Sequence, residues 1–190
     1  MSLAAIVLAA GAGRRFGGGK LAALFRGEPL VCHAIRAARA APVDRVIVVC
    51  SPELEIGDWR GEPRIEIVRL VSPELSASLK AGIAAAADTQ GAFIFLGDMP
   101  LVPHDLAGRL AAVLGTNFAA VPRHAGRNGH PVLLSARAFA PIAGLQGDEG
   151  AGRLINARED IAFLDSADEG VLLDIDRAED MARLEKRGEA

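Results

Sequence analysis

The chain has 190 residues and a net charge of −3, with 51% apolar and 24% charged residues. Its length suits one domain, and its apolar content is sufficient to bury a core, so an intrinsically disordered chain is excluded. A protein that coats nucleic acid needs a broad basic face, and the negative net charge therefore argues against a nucleic-acid partner. The two cysteines, Cys32 and Cys50, form no C-x-x-C pair and are too few for a disulfide framework.

The first apolar stretch, residues 3–10, is much shorter than the roughly 18 residues that a membrane span requires. No basic segment precedes it, and it continues into a glycine-rich loop instead of a cleavage site, so a signal peptide is not expected. We therefore expect a cytoplasmic protein with no membrane partner.

Short apolar runs alternate with segments of helical periodicity along the first two thirds of the chain. The predicted strands cover residues 3–9, 46–50, 65–70, 92–96 and 118–121. The predicted helices cover residues 29–41, 75–87 and 106–114. This alternation indicates β-α-β units, and right-handed crossovers then predict an α/β fold with three layers, a mostly parallel sheet between two layers of helices. Ligands of such folds bind at the carboxyl ends of the strands.

The remainder of the chain departs from that alternation. A polar turn at residues 123–129 followed by an apolar run at 131–135 predicts an inserted hairpin. A late strand at residues 171–174 and a final helix at 178–186 are also predicted. No linker is long enough to divide the chain, so one domain is expected over residues 1–190.

The loop that follows the first strand contains five glycines within residues 8–20. Backbone amides without a nearby Cβ can approach a phosphate closely, and Arg14, Arg15 and Lys20 add positive charge to the same segment. We therefore predict an anion site here; the alternative is a flexible surface loop.

Two common glycine-loop motifs do not match this loop. A Walker loop requires glycine where Arg14 stands and serine or threonine where Leu21 stands, and a dinucleotide fingerprint requires glycine where Phe16 stands. The predicted anion site therefore belongs to neither class.

Carboxylates occur after two of the predicted strands. Asp98 follows the strand at 92–96, and an acid at the carboxyl end of a strand can hold Mg²⁺. The alternative is that Asp98 caps the helix that begins near Pro103. For a second ligand we favour Asp176 over Asp174, and the alternative role for Asp176 is to cap the final helix.

These segments resemble the MobA-like nucleotidyltransferase family. Residues 8–20 read LAAGAGRRFGGGK, which is similar to the family's opening motif LAAGxGxRxGxxK, with Phe16 where methionine is usual. The chain also resembles the family at ELSASLKAG (74–82), LGDMP (96–100), GHPVLL (129–134), GDEGA (147–151) and DIDRAED (174–180). The resemblance implies a Rossmann-like, GT-A-like nucleotidyltransferase domain. The double alanine of the opening motif is most like the cytidylyltransferase branch.

The resemblance also implies an activity: Mg²⁺-dependent transfer of a nucleotide from CTP to the phosphate of molybdopterin, with release of pyrophosphate. Arg14 and Lys20 would be catalytic, and Asp98 and Asp176 would hold the metal. The nucleotide would contact Leu8, Ala9, Ala10, Gly11, Ala12, Gly13, Ser76 and Ser78. A molybdoenzyme or its chaperone would be the protein partner. GTP in place of CTP, a sugar 1-phosphate acceptor, and a non-catalytic nucleotide-binding maturation protein stay open as alternatives.

Two further segments have a plainer interpretation. Asn128 and Gly129 form a strong hairpin-turn signal, so we expect His130 to be structural and not catalytic. The family's GDxGAR pattern has arginine where this chain has Gly152, and the arginine is displaced to Arg153. This shift puts an acceptor contact through that arginine in question.

Overall fold

The computed structural model describes residues 2–11, 13–71 and 74–186. For Arg14 it describes the backbone alone. The strands are β1 (Leu3–Ala9), β2 (Leu24–Phe25), β3 (Glu28–Pro29), β4 (Arg45–Cys50), β5 (Arg64–Arg69), β6 (Gly91–Leu96), β7 (Ala119–His124), β8 (Arg127–Asn128), β9 (Val132–Ser135) and β10 (Ile161–Asp165). The α-helices are α1 (Leu30–Arg39), α2 (Leu75–Ala85), α3 (Leu106–Leu114), α4 (Phe139–Ile142), α5 (Ala151–Asn156) and α6 (Ala178–Lys186). Short 3-10 helices cover Arg14–Phe16, Lys20–Ala22, Ala136–Ala138 and Glu169–Leu172.

The main sheet has the strand order β5-β4-β1-β6-β9-β7-β10, with β8 paired to β7. Strand β9 runs antiparallel to both of its neighbours, whereas the β5-β4-β1-β6 and β7-β10 pairs are parallel. The reversal arises because the chain returns through the predicted hairpin. The mostly parallel sheet with an inserted hairpin is therefore confirmed.

Helices cover both faces of this sheet. Strand β1 is buried at every position, and its side chains alternate between two apolar clusters. One cluster contains the apolar faces of α1, α3 and α6, and the other contains those of α2, α4 and α5. A strand that is apolar throughout can be buried this way only when helices cover both sides of it. The sheet therefore lies between two layers of helices, which confirms the predicted three-layer fold.

The predicted strand at 171–174 is wrong. Residues Glu169–Leu172 form a 3-10 helix, in which the carboxylate of Asp168 accepts a hydrogen bond of 2.8 Å from the Gly170 N–H. A Cβ on Gly170 would lie 2.1 Å from the carbonyl oxygen of Leu101, so the backbone packs directly against another loop here. The edge strand of this half is β10, in which only Ile161 of the four apolar residues 161–164 is buried and Phe163 is exposed.

In the part of the chain that the structure describes, no helix combines the length and apolarity of a transmembrane span.

Candidate active site

The glycine-rich loop and Asp98 leave the sheet at the same edge because β1 and β6 are parallel neighbours, with Leu8 opposite Leu96. The Gly97 N–H donates to the carbonyl oxygen of Leu8 at 2.9 Å. A Cβ on Gly97 would lie 3.1 Å from that same oxygen, so glycine permits the close approach of the two strand ends. Leu8 and Gly97, which are 89 positions apart in the sequence, are thereby held side by side.

The segment around Asp176 reaches this edge through one backbone hydrogen bond. The Ile175 N–H donates to the carbonyl oxygen of Asp98 at 3.0 Å. The carboxylate of Asp180 accepts from the N–H groups of Asp176 (3.3 Å) and Arg177 (3.0 Å), which satisfies the start of α6. Asp180 therefore performs the capping role considered for Asp176, and the Asp176 carboxylate faces the glycine-rich loop.

Lys20 lies between Asp98 and Asp176, the two carboxylates that are predicted to hold the metal. Its Nζ is 2.7 Å from Asp98 Oδ2 and 3.4 Å from Asp176 Oδ1, and its side chain is 10% exposed. On the outer side, Arg15 Nη1 is 3.1 Å from Asp176 Oδ2. A flexible surface loop would not bury its lysine in this way. The N-cap of α3 is Asp105, which excludes Asp98 from that role.

Gly13 fixes the shape of the loop that delivers Lys20. Its φ is 56°, and a Cβ there would lie 2.9 Å from the Cβ of Lys20. Its carbonyl oxygen accepts from the N–H groups of Phe16 (3.0 Å) and Gly18 (3.2 Å). The loop consequently folds back on itself, and only glycine combines this backbone conformation with the contact.

Three carboxylates, of Asp98, Asp174 and Asp176, and two cations, Lys20 and Arg15, lie at this edge. Partial desolvation, with the negative charges of Asp98 and Asp176 as smaller causes, raises the pKa of Asp174. Within the residues described, no group of three or more His, Cys, Asp or Glu side chains has metal-binding geometry. Two carboxylates that already hold an ammonium group nevertheless fit a hard divalent ion, since Mg²⁺ commonly takes one or two carboxylates and completes its shell with phosphate and water.

Two cavities open beside this cluster. The β4-side cavity, of about 440 Å³, is lined by residues that include Ala9, Ala10, Gly11, Lys20, Ser51 and Leu54. The central cavity, of about 260 Å³, is lined by residues that include Leu8, Ala10, Gly11, Ser78, Asp98 and Asp148. Ala10 and Gly11 line both cavities, so the start of the loop separates two parts of one cleft.

The other residues that are predicted to contact the substrate do not all line the cleft. Ser78 lines the central cavity, and its hydroxyl donates to the carbonyl oxygen of Glu74 at 3.4 Å. Ser76 is 1% exposed and lines neither cavity. Ala12 lies outside the described residues, and the backbone of Arg14 begins the 3-10 helix Arg14–Phe16.

Sequence reasoning missed Asp148, which lines the central cavity. Its loop is held against α2 because the Ser76 N–H donates to the carbonyl oxygen of Gly147 at 3.0 Å. The GDEGA segment is the available signal, but the role considered for it is an acceptor contact through the neighbouring arginine and not through Asp148. Arg15 was recognised as a loop cation without its partner, Asp176.

Comparison with known proteins places this cleft in a family. The model of the MobA-like NTP transferase domain matches residues 5–161. Purine catabolism protein PucB of Bacillus subtilis is 31% identical over 95% of this chain and 96% of its own length. A probable molybdenum cofactor guanylyltransferase of Thermococcus kodakarensis is 36% identical over 50% of this chain and 46% of its own length.

A solved structure shows the same fold with a metal. The manganese complex of Rv0371c from Mycobacterium tuberculosis is 26% identical to this chain, with a TM-score of 0.79 over 98% of this chain and 99% of that one. A nucleotidyl transferase from Methanothermobacter, 21% identical, has the fold with a TM-score of 0.81 over 98% of this chain and 97% of its own. With a family model that matches most of its length, this chain belongs to the MobA-like NTP transferases and is a nucleotidyltransferase.

Proposed function

We propose that this chain transfers a cytidylyl group from CTP to the phosphate of molybdopterin, with Mg²⁺ as cofactor. The observation that carries the proposal is the placement of Lys20 between Asp98 and Asp176, beside the amide-rich loop. The base assignment rests on the resemblance of the double alanine, Ala9 and Ala10, to the cytidylyltransferase branch. GTP is the second candidate, because one relative is named as a guanylyltransferase.

The reaction asks the protein for positioning and charge. A phosphate oxygen of the acceptor attacks the α-phosphorus of CTP, a new P–O bond forms, and the bond to the β-phosphate oxygen breaks. Pyrophosphate leaves with the electron pair. A phosphate monoester is already ionised at pH 7, so no general base is needed to activate it. In-line placement and stabilisation of the growing negative charge supply the rate.

This chain's residues divide that work. The backbone amides around Gly11 and Gly13 bind the β- and γ-phosphates, and Lys20 neutralises charge on the leaving group, with Arg14 as a second cation. Asp98 and Asp176 hold the divalent ion, which supplies positive charge to the phosphate oxygens when bound. Lys20 exchanges its carboxylate partners for phosphate oxygens once the triphosphate arrives, which its flexible four-carbon stem permits. Leu8, Ala9, Ala10 and Ser78 contact the nucleoside.

The test is pyrophosphate release with each of the four ribonucleoside triphosphates, with molybdopterin or glucose 1-phosphate as acceptor. We expect release with CTP and molybdopterin, and loss of at least about 100-fold in Asp98→Asn, comparable to removing one electrostatic stabiliser of a transition state. The exposed acid Asp58 provides the control Asp58→Asn, which should keep full activity. Nucleotide binding without any pyrophosphate release would overturn the proposal in favour of a non-catalytic binding protein.

A further inference from the structure

A third cavity, of about 310 Å³, lies on the β9 side of Asp98. Its walls are mainly apolar and include Leu79, Ile94, Val121, Val132 and Ile155. Leu8 and Leu96 line both this β9-side cavity and the central cavity, so the two adjoin. A ligand in the β9-side cavity would therefore adjoin the central cavity, which Asp98 lines.

Few polar side chains line the β9-side cavity, and its cation is already paired. Arg153 forms a salt bridge with Glu149, one turn earlier, and its side chain is 63% exposed. The other polar side chains of the lining are Asn128, His130 and Asn156. Such a wall suits a ring with apolar faces, whereas a sugar would leave several hydroxyl groups without partners.

The orientation of His130 is fixed from both sides. Its backbone N–H donates to the carbonyl oxygen of Val171 at 2.9 Å, and a Cβ on the preceding Gly129 would lie 2.4 Å from that oxygen. Its Nδ1 is 3.3 Å from the carbonyl oxygen of Ile94. Because a carbonyl can only accept, Nδ1 carries the proton and Nε2 presents a lone pair.

Nε2 has no hydrogen-bond partner within the described part of the chain. It is also not one of the polar atoms that are buried without a partner, so a ligand can reach it. Burial lowers the pKa of His130, with opposing contributions from its bond to Ile94 and from the charges of Asp98 and Asp174. The imidazole is therefore neutral at pH 7 and offers the cavity a hydrogen-bond acceptor.

We propose that His130 selects the acceptor by receiving a hydrogen bond at Nε2 from an N–H group of a flat heteroaromatic ring held in the β9-side cavity. This inference rests on the proposed function and assigns the ring of its acceptor a binding place and a recognition residue. A site built to receive an N–H group discriminates strongly against analogues that lack it, because the acceptor atom is then left unpaired. His130 thus has a recognition role beyond the structural one that its hairpin suggested.

Gly152 controls the room available to that ring. It lines the β9-side cavity in the first turn of α5, and a Cβ there would meet no atom within 4 Å. A larger side chain at this position can therefore fill the cavity without a clash at its Cβ. The absence of the family's arginine at this position leaves space that the ring can occupy.

The test measures the binding of hydroxymethylpterin by the change in its intrinsic fluorescence when the wild-type chain or one of two variants is added. His130→Phe keeps a ring but removes the acceptor atom, and Gly152→Leu obstructs the cavity. We expect each to weaken pterin binding about tenfold or more while CTP binding changes less than about twofold. His104→Phe and Gly108→Leu are matched controls, since His104 is exposed and a Cβ on Gly108 also meets nothing within 4 Å.

The outcomes separate this inference from the proposed function. Unchanged pterin affinity in both variants, no pterin binding by the wild-type chain, or preferential binding of glucose 1-phosphate would each overturn the role of His130. CTP-dependent pyrophosphate release in those cases would leave the nucleotidyl transfer standing. Conversely, pterin binding that depends on His130 without pyrophosphate release from any triphosphate would support recognition of the ring by His130 while the proposed function fails. Thermal midpoints close to that of the wild type exclude misfolding as the cause.

Discussion

Lys20 is an internal counter-ion for the carboxylates that are proposed to hold the metal. Its Nζ lies 2.7 Å from Asp98 and 3.4 Å from Asp176, which is where a divalent ion would also be attracted. The ammonium group and the divalent ion therefore compete until phosphate oxygens give the lysine another partner. This competition would keep metal affinity low in the nucleotide-free chain.

Removing that competitor should strengthen metal binding while it impairs the reaction. We expect Lys20→Gln to bind Mn²⁺ about tenfold or more tightly without nucleotide, because an opposite charge 4 Å away from a carboxylate is worth about 1 kcal/mol in bulk water and about 4 kcal/mol near a protein surface. The free-ion signal in electron paramagnetic resonance measures this affinity directly. Lys186→Gln, the same charge change at an exposed position on α6, should leave it unchanged. Equal or weaker Mn²⁺ binding by Lys20→Gln would remove Lys20 from the metal site.

The loop's dependence on Gly13 can be separated from ordinary backbone strain. Gly13 and Gly19 have similar φ values, 56° and 63°, but only Gly13 has Lys20 Cβ within 4 Å of an added Cβ. Gly19→Ala should cost about 1–2 kcal/mol of unfolding free energy from the left-handed backbone alone, and Gly13→Ala should cost more. Urea denaturation measures both. Equal costs, with equal residual activity, would contradict a specific role for the Gly13–Lys20 contact.

At the scale of elements, the start of α6 places Asp176 at the site. Asp180 accepts hydrogen bonds from the backbone of Asp176 and Arg177, while Ile175 is tied to Asp98. Asp180→Ala should therefore cost about 1 kcal/mol of stability and also weaken Mn²⁺ binding with CTP present. Glu179→Ala, in the same turn but exposed, is the control. A stability loss with no change in Mn²⁺ affinity would confine Asp180 to a purely structural role.

The elements also show what the sequence could and could not predict. Continuous apolar runs identified β1, β4 and β6, since strands buried on both faces carry that pattern. The rule that ligands bind at strand carboxyl ends placed the glycine-rich loop and Asp98 at one edge. By contrast, Lys20 and Asp176 are separated by 156 residues. Their meeting depends on tertiary contacts that no periodicity encodes, among them the backbone bond from Ile175 to Asp98 and the burial of Ile175 in the core.

The same limit explains the misplaced late strand. The apolar residues at 171–173 favour a strand locally, yet Gly170 packs against the carbonyl of Leu101 and the chain curls into a 3-10 helix. The error did not remove Asp176 from the site, because its position is set by the backbone bond at Ile175. Tertiary contacts overrode a short local preference, as they do for many short apolar segments.

At the scale of the whole molecule, two cavities adjoin the central cavity that Asp98 lines, one on the β4 side and one on the β9 side. The β4-side cavity adjoins the glycine-rich loop, and the β9-side cavity lies beyond β6, across from it. The inserted antiparallel strand β9 creates the second side, since His130 lies just before it. In the proposed reaction, this arrangement would give the triphosphate and the acceptor separate places.

The central claim is that the loop and Asp98 act on one triphosphate and its divalent ion. The most direct measurement is electron–nuclear double resonance of the chain with Mn²⁺ and CTP, which detects phosphorus nuclei close to the ion. We expect phosphorus coupling in the wild-type chain. In Asp98→Asn, we expect both the phosphorus coupling and the tight Mn²⁺ binding to be lost. Undiminished coupling in Asp98→Asn, or Mn²⁺ bound to the wild-type chain without phosphorus nearby, would contradict it.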